Sequence, residues 1–271
     1  MCVSVFKSLL ERLAAPAGQP GVQFMCLSNK NEDLSSCPQQ SPGRNPPPPS
    51  PYRDRELKII TIEGNIGCGK STAIASLQKL HPQHTYVYEP VDLWLKSGLL
   101  QAMYKKELDS PVFQQVALAT LVAPLLKAVQ DGSSLIITER SPWSNRDVFA
   151  RATLKERTWE KIAYQVVFDS LLSALPQHTV CVAYLQAPIS VLQNRIEQRA
   201  RESEHKNVVN AAYLKKLDRL HEDYFHRSAT IKTRIDATQS PDDVARMLSL
   251  LIATLEDKTD WPDEFQAAPC E

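Results

Sequence analysis

A glycine-rich loop lies between an apolar segment and a helix-like segment, and its residue types suit the binding of phosphate. It starts at Gly64 and ends in Gly69-Lys70-Ser71, which gives the spacing G-x-x-x-x-G-K-S of a phosphate loop. Glycines let backbone N–H groups surround phosphate oxygens, and the following helix adds partial positive charge. Because the lysine reaches outer phosphates and the serine hydroxyl binds Mg²⁺, the sequence predicts that the chain handles a nucleoside triphosphate. The predicted binding residues are Gly64, Asn65, Ile66, Gly67, Cys68, Gly69, Lys70, Ser71 and Thr72.

Two carboxylates follow other apolar segments. Glu89, held before Pro90, ends the segment that starts at Thr85, and Glu139 ends the segment that starts at Ser134. A carboxylate where an apolar strand meets a nucleotide site serves as a general base or as an Mg²⁺ ligand. A solvated strand end is the alternative for Glu89, but the presence of the phosphate loop favours a functional role.

Three arginines follow the fourth apolar segment. Arg195 and Arg199 are four residues apart and therefore lie on one face of a helix, and Arg201 follows them. Arginine binds phosphate through paired hydrogen bonds and stabilises charge on a phosphoryl group in transfer. The alternative is a solvated helix with an ion pair such as Glu197 with Arg201.

Length and composition indicate an ordinary globular chain. Its 271 residues, 43% of them apolar, fit one large domain or two small ones. Acidic and basic residues balance at 31 each, so there is no general basic field and we predict no nucleic-acid partner. No uninterrupted apolar run reaches about 18 residues, so we expect no membrane-spanning helix and no membrane partner.

The six cysteines form no C-x-x-C pair and have no histidine at the spacing of zinc ligands. This pattern indicates a reduced, intracellular protein without a structural metal. Cys68 lies inside the phosphate loop, where we favour a small, tolerated side chain over a reactive thiol.

Residues 1–55 differ in composition from the rest. Residues 16–51 hold nine of the 19 prolines, and such a segment buries too little apolar surface to offset its ordering entropy. We predict a disordered tail, in which the proline run 46–49 is a spacer or a ligand for a proline-binding module. The start of the chain is weakly amphipathic, but Glu11 argues against a mitochondrial presequence. We therefore expect a cytoplasmic location, with a mitochondrial one as the alternative.

From residue 57 onward, short β-branched segments alternate with helical patterns. The predicted strands are 57–63, 85–89, 134–139, 179–185 and 231–236, and the predicted helices are 71–80, 99–106, 112–130, 158–175, 188–201, 210–227 and 241–256. Such alternation predicts an α/β fold with a parallel sheet covered by helices on both faces. Ligands then bind at the carboxyl ends of the strands.

The motifs together resemble those of the deoxynucleoside kinases, the family of deoxycytidine, deoxyguanosine and mitochondrial thymidine kinases. The matching segments are 62–72, Glu89-Pro-Val-Asp-Leu-Trp94, Leu99-Leu-Gln-Ala-Met-Tyr104, Phe113-Gln114, Glu139-Arg-Ser141, Tyr184-Leu185, 195–204 and Leu220-His-Glu-Asp-Tyr224. The resemblance spans about 57–255. It implies a P-loop kinase fold with a five-stranded parallel sheet and a helical lid, a kinase domain over 56–260, a flexible tail over 261–271 and a homodimer.

The resemblance also implies the reaction: ATP-dependent phosphorylation of a deoxynucleoside 5′-hydroxyl in nucleotide salvage. Glu89 is implied to be the base that takes the hydroxyl proton. Lys70 and Arg140 are implied to hold phosphoryl oxygens, and Ser71 and Glu139 to serve Mg²⁺. The arginines implied to form a lid over ATP are Arg195, Arg199 and Arg201.

For the nucleoside, the resemblance implies that Tyr104 and Glu204 bond the 3′-hydroxyl. Trp94 and Phe149 are implied to pack on the base, and Gln114 to bond its edge. An amide offers one donor and one acceptor, which matches a pyrimidine edge. Core packing is the alternative for either aromatic residue taken alone.

Several positions depart from the family pattern. The tyrosine usual near Gln114 is missing, Ser203 stands where many members have glutamate, and Asn145 stands where members have aspartate or alanine. Leu121 occupies the position of an arginine found in members that accept purines or favour deoxycytidine. We place Asn145 in the substrate pocket and expect thymidine and deoxycytidine to be phosphorylated and purines to be poor substrates.

Two other functions remain as alternatives. A nucleoside monophosphate kinase must bind a substrate phosphate, and thymidylate kinases tend to have a glycine-rich continuation where this chain has Val91-Asp-Leu-Trp94. A nucleotide-triggered switch would have no use for the sugar- and base-binding set Tyr104, Gln114 and Glu204.

Overall fold

The computed structural model describes residues 57–154, 159–199, 209–228 and 231–257. All of them belong to the unit Asp54–Glu271. The predicted tails 1–55 and 261–271 lie outside the described residues, as do Arg201 and Glu204 among the predicted site residues. The boundaries of the predicted kinase domain stay predictions.

The described residues form a sheet of five parallel strands in the order β2-β3-β1-β4-β5. The strands are β1 Leu57–Gly64, β2 Thr85–Val87, β3 Leu135–Glu139, β4 His178–Gln186 and β5 Ile231–Asp236. In the central strand, Ile59, Ile60 and Ile62 are at most 1% exposed, as expected for a strand that is covered on both faces. The predicted five-stranded parallel sheet is confirmed.

Helices connect the strands. They are α1 Lys70–Leu80, α2 Val91–Lys96, α3 Leu99–Tyr104, α4 Ser110–Gln130, α5 Pro142–Ser144, α6 Arg151–Thr153, α7 Trp159–Leu172, α8 Ile189–Arg199, α9 Ala211–Arg227 and α10 Pro241–Asp257, with a π-helical turn over Asn145–Ala150. The predicted helices correspond to α1, α3, α4, α7, α8, α9 and α10. The sequence does not predict α2, α5, α6 or the π-helical turn, since each is too short to show a helical period.

The helices cover both faces of the sheet, as predicted. On one face, Leu185 of β4 packs in a cluster that includes Ile74 of α1 and Leu251 of α10. On the other face, Tyr184 of β4 packs with Leu217 of α9. Neighbouring residues of a strand point to opposite faces, so adjacent positions in β4 anchor the two layers.

Helix α4 is long and apolar enough to cross a membrane by length and composition, with a mean hydropathy of 1.6 in its most apolar window. The sequence predicts no such helix, because no uninterrupted apolar run reaches about 18 residues; in α4 the run is interrupted by Gln114, Gln115 and Lys127. Half of that window is buried in the fold, where α4 packs against α7. The core helix of a soluble protein passes the same test.

Candidate active site

A cavity of about 470 Å³ opens at the carboxyl ends of the strands and extends from the phosphate loop to helices α2, α3 and α4. Ligands of open α/β sheets bind at this edge. The predicted site residues that line the cavity are Ile66, Gly67, Cys68, Gly69, Lys70, Ser71, Thr72, Glu89, Trp94, Tyr104, Gln114, Glu139, Arg140, Asn145, Phe149, Arg195 and Arg199. The phosphate loop and the predicted base pocket therefore belong to one cavity.

The phosphate loop takes its shape from three glycines. Gly64, Gly67 and Gly69 have φ angles of 143°, 82° and 99°. Glycine adopts such angles readily, whereas a side chain disfavours them. A Cβ atom at Gly64 would also lie 2.4 Å from the carbonyl oxygen of Leu185, which leaves no room for a side chain.

The lysine of the loop is held by backbone carbonyls. Lys70 Nζ donates to the carbonyl oxygens of Gly64 at 3.3 Å and Asn65 at 3.0 Å. Asn65 in turn donates from Nδ2 to the carbonyl oxygen of Leu214, at 2.9 Å, and so ties the loop to α9. The lysine ammonium, on a residue only 5% exposed, is thereby fixed at the wall of the cavity.

Helix α1 begins at this loop, directly after Gly69. No side chain in the described part of the protein caps its N-terminus, so its first-turn N–H groups face the cavity without a capping partner. Ser71 Oγ donates to Glu139 Oε1 at 2.6 Å. Burial, and next the negative charge of Glu89, raise the pKa of Glu139, while Lys70 and Ser71 act in the opposite direction.

Glu89 and Arg140 form a partly buried ion pair. Arg140 Nε lies 2.9 Å from Glu89 Oε1, and its Nη1 donates to the carbonyl oxygen of Gly64 at 3.0 Å. The guanidinium carbon lies 4.3 Å from the ring centre of Phe149, a cation–π distance. Burial opposes the charge of Arg140, but the carboxylates Glu89 and Glu63 outweigh it and raise its pKa. Arg140 also has a positive φ of 62°, a strained conformation of the kind found at functional sites.

The far end of the cavity is lined by apolar and amide side chains. Trp94 packs edge-on against Phe113, with ring centres 5.5 Å apart, and its Nε1 donates to Thr120 Oγ1 at 3.0 Å. Gln114 and Asn145, both buried, meet through a hydrogen bond of 3.1 Å from Asn145 Nδ2 to Gln114 Oε1. The two amides, predicted separately as substrate contacts, therefore form one unit.

Arg195 and Arg199 line the cavity from helix α8. Arg195 donates from Nη2 to the carbonyl oxygen of Ala237 at 2.8 Å and from Nη1 to that of Cys68 at 3.3 Å. Its guanidinium therefore joins the phosphate loop to the segment that follows β5. The structure leaves the third predicted lid arginine, Arg201, undescribed.

Three buried polar side chains around the cavity have no role predicted from the sequence, although Glu63 and His221 lie in segments that match the family. Glu63 Oε1 accepts a 2.6 Å hydrogen bond from Ser141 Oγ, and burial raises the pKa of this carboxyl group. Tyr164 Oη donates to Asn145 Oδ1 at 2.5 Å. His221 packs edge-on against the Phe149 ring at 5.8 Å. A carboxylate inside the apolar run before the loop was a visible signal for Glu63, and the matching segment 220–224 was one for His221, whereas Tyr164 looks like an ordinary helix residue.

Within the described ranges, no three or more His, Cys, Asp or Glu side chains cluster closely enough to hold a metal ion by themselves. A metal held by this site would therefore take part of its ligands from a bound phosphate or from water.

The loop, the strand order and the cavity define a P-loop kinase. The family model described as "Deoxynucleoside kinase" matches residues 60–250. The chain belongs to the deoxynucleoside kinase family, and it is a kinase of that family.

Relatives agree with this assignment. The chain is 30% identical to "Deoxycytidine kinase 1" of Xenopus laevis over 81% of this chain and 89% of that protein. It is 30% identical to "Deoxycytidine kinase" of Homo sapiens over 78% and 88% of the two chains. It is 26% identical to "Deoxyguanosine kinase, mitochondrial" of Xenopus laevis over 67% and 78%.

Proposed function

We propose that the enzyme transfers the γ-phosphoryl group of ATP to the 5′-hydroxyl of thymidine and deoxycytidine, and that this reaction serves nucleotide salvage. One observation carries the proposal: a phosphate loop and a buried amide, Gln114, line the same cavity. The relatives named as deoxycytidine and deoxyguanosine kinases support a deoxynucleoside as the substrate.

The phosphate groups of ATP bind to the glycine loop. Its glycines hold the positive φ angles that shape the loop, and the uncapped first turn of α1 supplies N–H donors. Lys70 exchanges its carbonyl partners for phosphate oxygens. Arg195 and Arg199 bind the donor from the side of α8 and neutralise its charge, and we assign the same role to Arg201 from the family resemblance.

Ser71 and Glu139 fit Mg²⁺. Their hydroxyl and carboxylate oxygens lie 2.6 Å apart at the N-terminus of α1, and oxygen ligands of this kind, completed by phosphate and water, are what Mg²⁺ prefers. When bound, the ion neutralises negative charge on the phosphate oxygens. Without it, Ser71 satisfies the buried carboxylate.

Glu89 is the base that receives the 5′-hydroxyl proton. Its Oε1 accepts the bond from Arg140, which leaves Oε2 for the hydroxyl. Arg140 has further N–H groups for the phosphoryl oxygens and is held in place by Phe149 and the Gly64 carbonyl. Positioned charges of this kind supply most of the catalysis in phosphoryl transfer.

The nucleoside occupies the far end of the cavity. Trp94 and Phe149 pack against the faces of the base, Gln114 bonds its edge, and Tyr104 and Glu204 bond the 3′-hydroxyl. Leu121 lines this end and offers no hydrogen bond to the additional polar edge of a purine. These features favour pyrimidines.

The active protein is a homodimer that associates through α7. Trp159, Ile162 and Val166 are 84%, 51% and 60% exposed and lie at i, i+3 and i+7 on one helix face. The opposite face of α7 is buried against the domain, so this apolar stripe suits a second copy. Sedimentation of the purified protein tests the dimer.

The enzyme is proposed to be cytoplasmic, with residues 1–55 as a dispensable tail. Deletion of residues 1–50 should leave thermal stability and kinase activity largely unchanged. Imaging a fusion of residues 1–50 in cells distinguishes the cytoplasmic location from the mitochondrial alternative.

The deciding experiment measures ATP consumption and kcat/KM with each of the four common deoxynucleosides. We expect consumption that depends strictly on added nucleoside, with thymidine and deoxycytidine far ahead of the purines. Consumption that depends on a nucleoside monophosphate instead would contradict the proposed reaction. A purine ranked first would contradict the base preference and leave the kinase assignment intact.

A further inference from the structure

A buried polar chain connects the base pocket to helix α7. Tyr164 Oη donates to Asn145 Oδ1 at 2.5 Å, and Asn145 Nδ2 donates to Gln114 Oε1 at 3.1 Å. The three residues are 2%, 4% and 3% exposed. They come from three separate elements, α7, the π-helical turn and α4. Gln114 and Asn145 line the cavity, and Tyr164 stands behind them.

We propose that Asn145 and Tyr164 form a reversible relay that lets the Gln114 amide take either of two orientations, so that one pocket binds both thymine and cytosine. Asn145 determines which orientations of the Gln114 amide are allowed. Tyr164 is the positioning residue that gives Asn145 a hydrogen-bond partner in both orientations. This inference rests on the proposed contact between Gln114 and a pyrimidine edge.

The two pyrimidines require opposite amide orientations. Cytosine presents an acceptor at N3 beside a donor amino group, whereas thymine presents a donor N3–H beside an acceptor oxygen. To bond both positions, the Gln114 amide must rotate by about 180° between the two bases, since an amide has its donor and acceptor on different atoms.

Rotation of Gln114 changes what Asn145 faces. In the described arrangement Gln114 Oε1 accepts from Asn145. After rotation Gln114 presents its amide nitrogen, a donor, and Asn145 must also rotate and present its oxygen. The nitrogen of Asn145 then points at Tyr164.

The tyrosine hydroxyl makes the second arrangement possible. A phenol both donates and accepts, so Tyr164 can donate to the oxygen of Asn145 in one state and accept from its nitrogen in the other. Burial raises the pKa of Tyr164, which keeps the hydroxyl protonated. The Gln114 and Asn145 amides stay bonded to each other, and Asn145 to Tyr164, in both states, so the loss of about 1–3 kcal/mol for a broken bond within this buried chain is avoided.

An aspartate at this position would break the symmetry. An ionised carboxylate only accepts, so Gln114 would have to present its nitrogen to it in all cases. The Gln114 orientation that suits one pyrimidine would then be retained, and the orientation that suits the other would be lost. The relay therefore predicts that Asn145→Asp changes the preference between thymidine and deoxycytidine rather than the overall activity.

The experiment measures the ratio of kcat/KM for thymidine to that for deoxycytidine in the full-length enzyme. For Asn145→Asp we expect this ratio to change by about tenfold or more, because one of two paired contacts is lost. The retained substrate should keep kcat/KM close to the wild-type value. A general structural defect would lower both values and leave the ratio unchanged.

Tyr164→Phe provides the second variant. Without the hydroxyl, the amide atom of Asn145 that faces residue 164 is unpaired in either state. KM should therefore rise for both substrates by similar factors, while kcat is retained. Tyr86→Phe is the matched control, because its hydroxyl donates to the carbonyls of Leu77 and His81 outside the cavity. We expect the control to change neither KM.

The outcomes separate the relay from the proposed function. If Gln114→Leu leaves kcat/KM unchanged for both pyrimidines, the proposed base contact fails. If Gln114→Leu lowers both values but Asn145→Asp leaves their ratio unchanged, the relay is refuted and the base contact stands. The relay is equally refuted if Tyr164→Phe impairs one pyrimidine about tenfold more than the other, and this holds even if Asn145→Asp does not fold.

Discussion

The two ends of the cavity are built in different ways. The phosphate end consists of consecutive residues, 64–72, whose backbone is shaped by glycines and whose lysine bonds to loop carbonyls. The base end consists of side chains from separate helices, among them Trp94, Gln114 and Asn145, joined by side-chain contacts. The phosphate end is therefore shaped mainly by backbone conformation, and the base end by contacts between side chains.

From this difference we infer that, if each end has its proposed role, phosphoryl transfer and base preference can be changed separately by mutation. In the proposed reaction the phosphate groups of the donor are the same for every nucleoside, so a fixed backbone site would serve all of them. A base edge differs between substrates by the position of a donor and an acceptor, which a rotatable amide can match. Changes at the phosphate end should therefore affect all nucleosides alike, and changes at the base end should affect binding.

The largest effect is expected at the lysine of the loop. Lys70→Ala should abolish measurable phosphoryl transfer for every nucleoside, because transfer depends on neutralising and positioning phosphate. Nucleoside binding, measured by calorimetry, should survive, since the base end is intact. Lys79→Ala, on the exposed side of the same helix, is the matched control and should retain activity. Activity within about tenfold of the wild type would contradict the role of Lys70.

The next largest effect is expected at Glu89. Glu89→Gln keeps an oxygen that accepts from Arg140 but removes the base, so kcat should fall by roughly 10²–10⁴-fold with each nucleoside and KM should change little. Steady-state kinetics with thymidine and deoxycytidine measure both constants. Glu107→Gln, at an exposed carboxylate, is the control. Near-normal turnover of Glu89→Gln would show that Glu89 is not the general base.

The same contrast explains what the sequence could predict. The phosphate loop was predictable because its residues are contiguous and because glycine and lysine are needed there for stated reasons. The alternation of strands and helices predicted a parallel sheet, but not the strand order, since periodicity does not say which strands are neighbours. The left-handed backbone of Arg140 had no signal, because it arises where β3 turns beside the loop.

The base end was predictable only in part. Gln114 and Asn145 lie 31 positions apart, and their hydrogen bond depends on how α4 packs against the π-helical turn. Tyr164 reads as one more aromatic residue of an amphipathic helix, where core packing is the usual fate. A network of this kind becomes visible only when tertiary contacts are known.

A smaller effect is expected where the cavity meets the face of the base rather than its edge. Trp94→Phe replaces the indole by a smaller ring and removes the hydrogen bond to Thr120. KM should therefore rise by about tenfold, which is equivalent to about 1.4 kcal/mol. Stacking does not distinguish donor from acceptor, so thymidine and deoxycytidine should be affected alike. Trp143→Phe, outside the cavity lining, is the matched control. If Trp94→Phe changes the ratio of kcat/KM for thymidine to that for deoxycytidine, Trp94 also distinguishes the hydrogen-bonding edges of the two bases.

The smallest effect concerns His221, whose ring packs edge-on against Phe149, the residue that lies under the Arg140 guanidinium. Burial, and next the positive charge of Arg140, lower the pKa of His221 well below its usual 6.5. The folded protein therefore keeps this ring neutral at pH values where the unfolded chain binds a proton. Acidification below about pH 6.5 then favours unfolding, by up to about 1.4 kcal/mol per pH unit for this one group.

His221→Phe keeps an aromatic ring in the core but removes the proton site, so its free energy of unfolding should fall less steeply than that of the wild type between pH 7 and pH 5. Urea unfolding at several pH values measures the two slopes. His226→Phe, which removes an exposed ring from the same helix, is the matched control. Parallel slopes for the wild type and His221→Phe would mean that the buried ring is protonated in the folded protein, and the stack of His221, Phe149 and Arg140 would then carry two positive charges at acid pH.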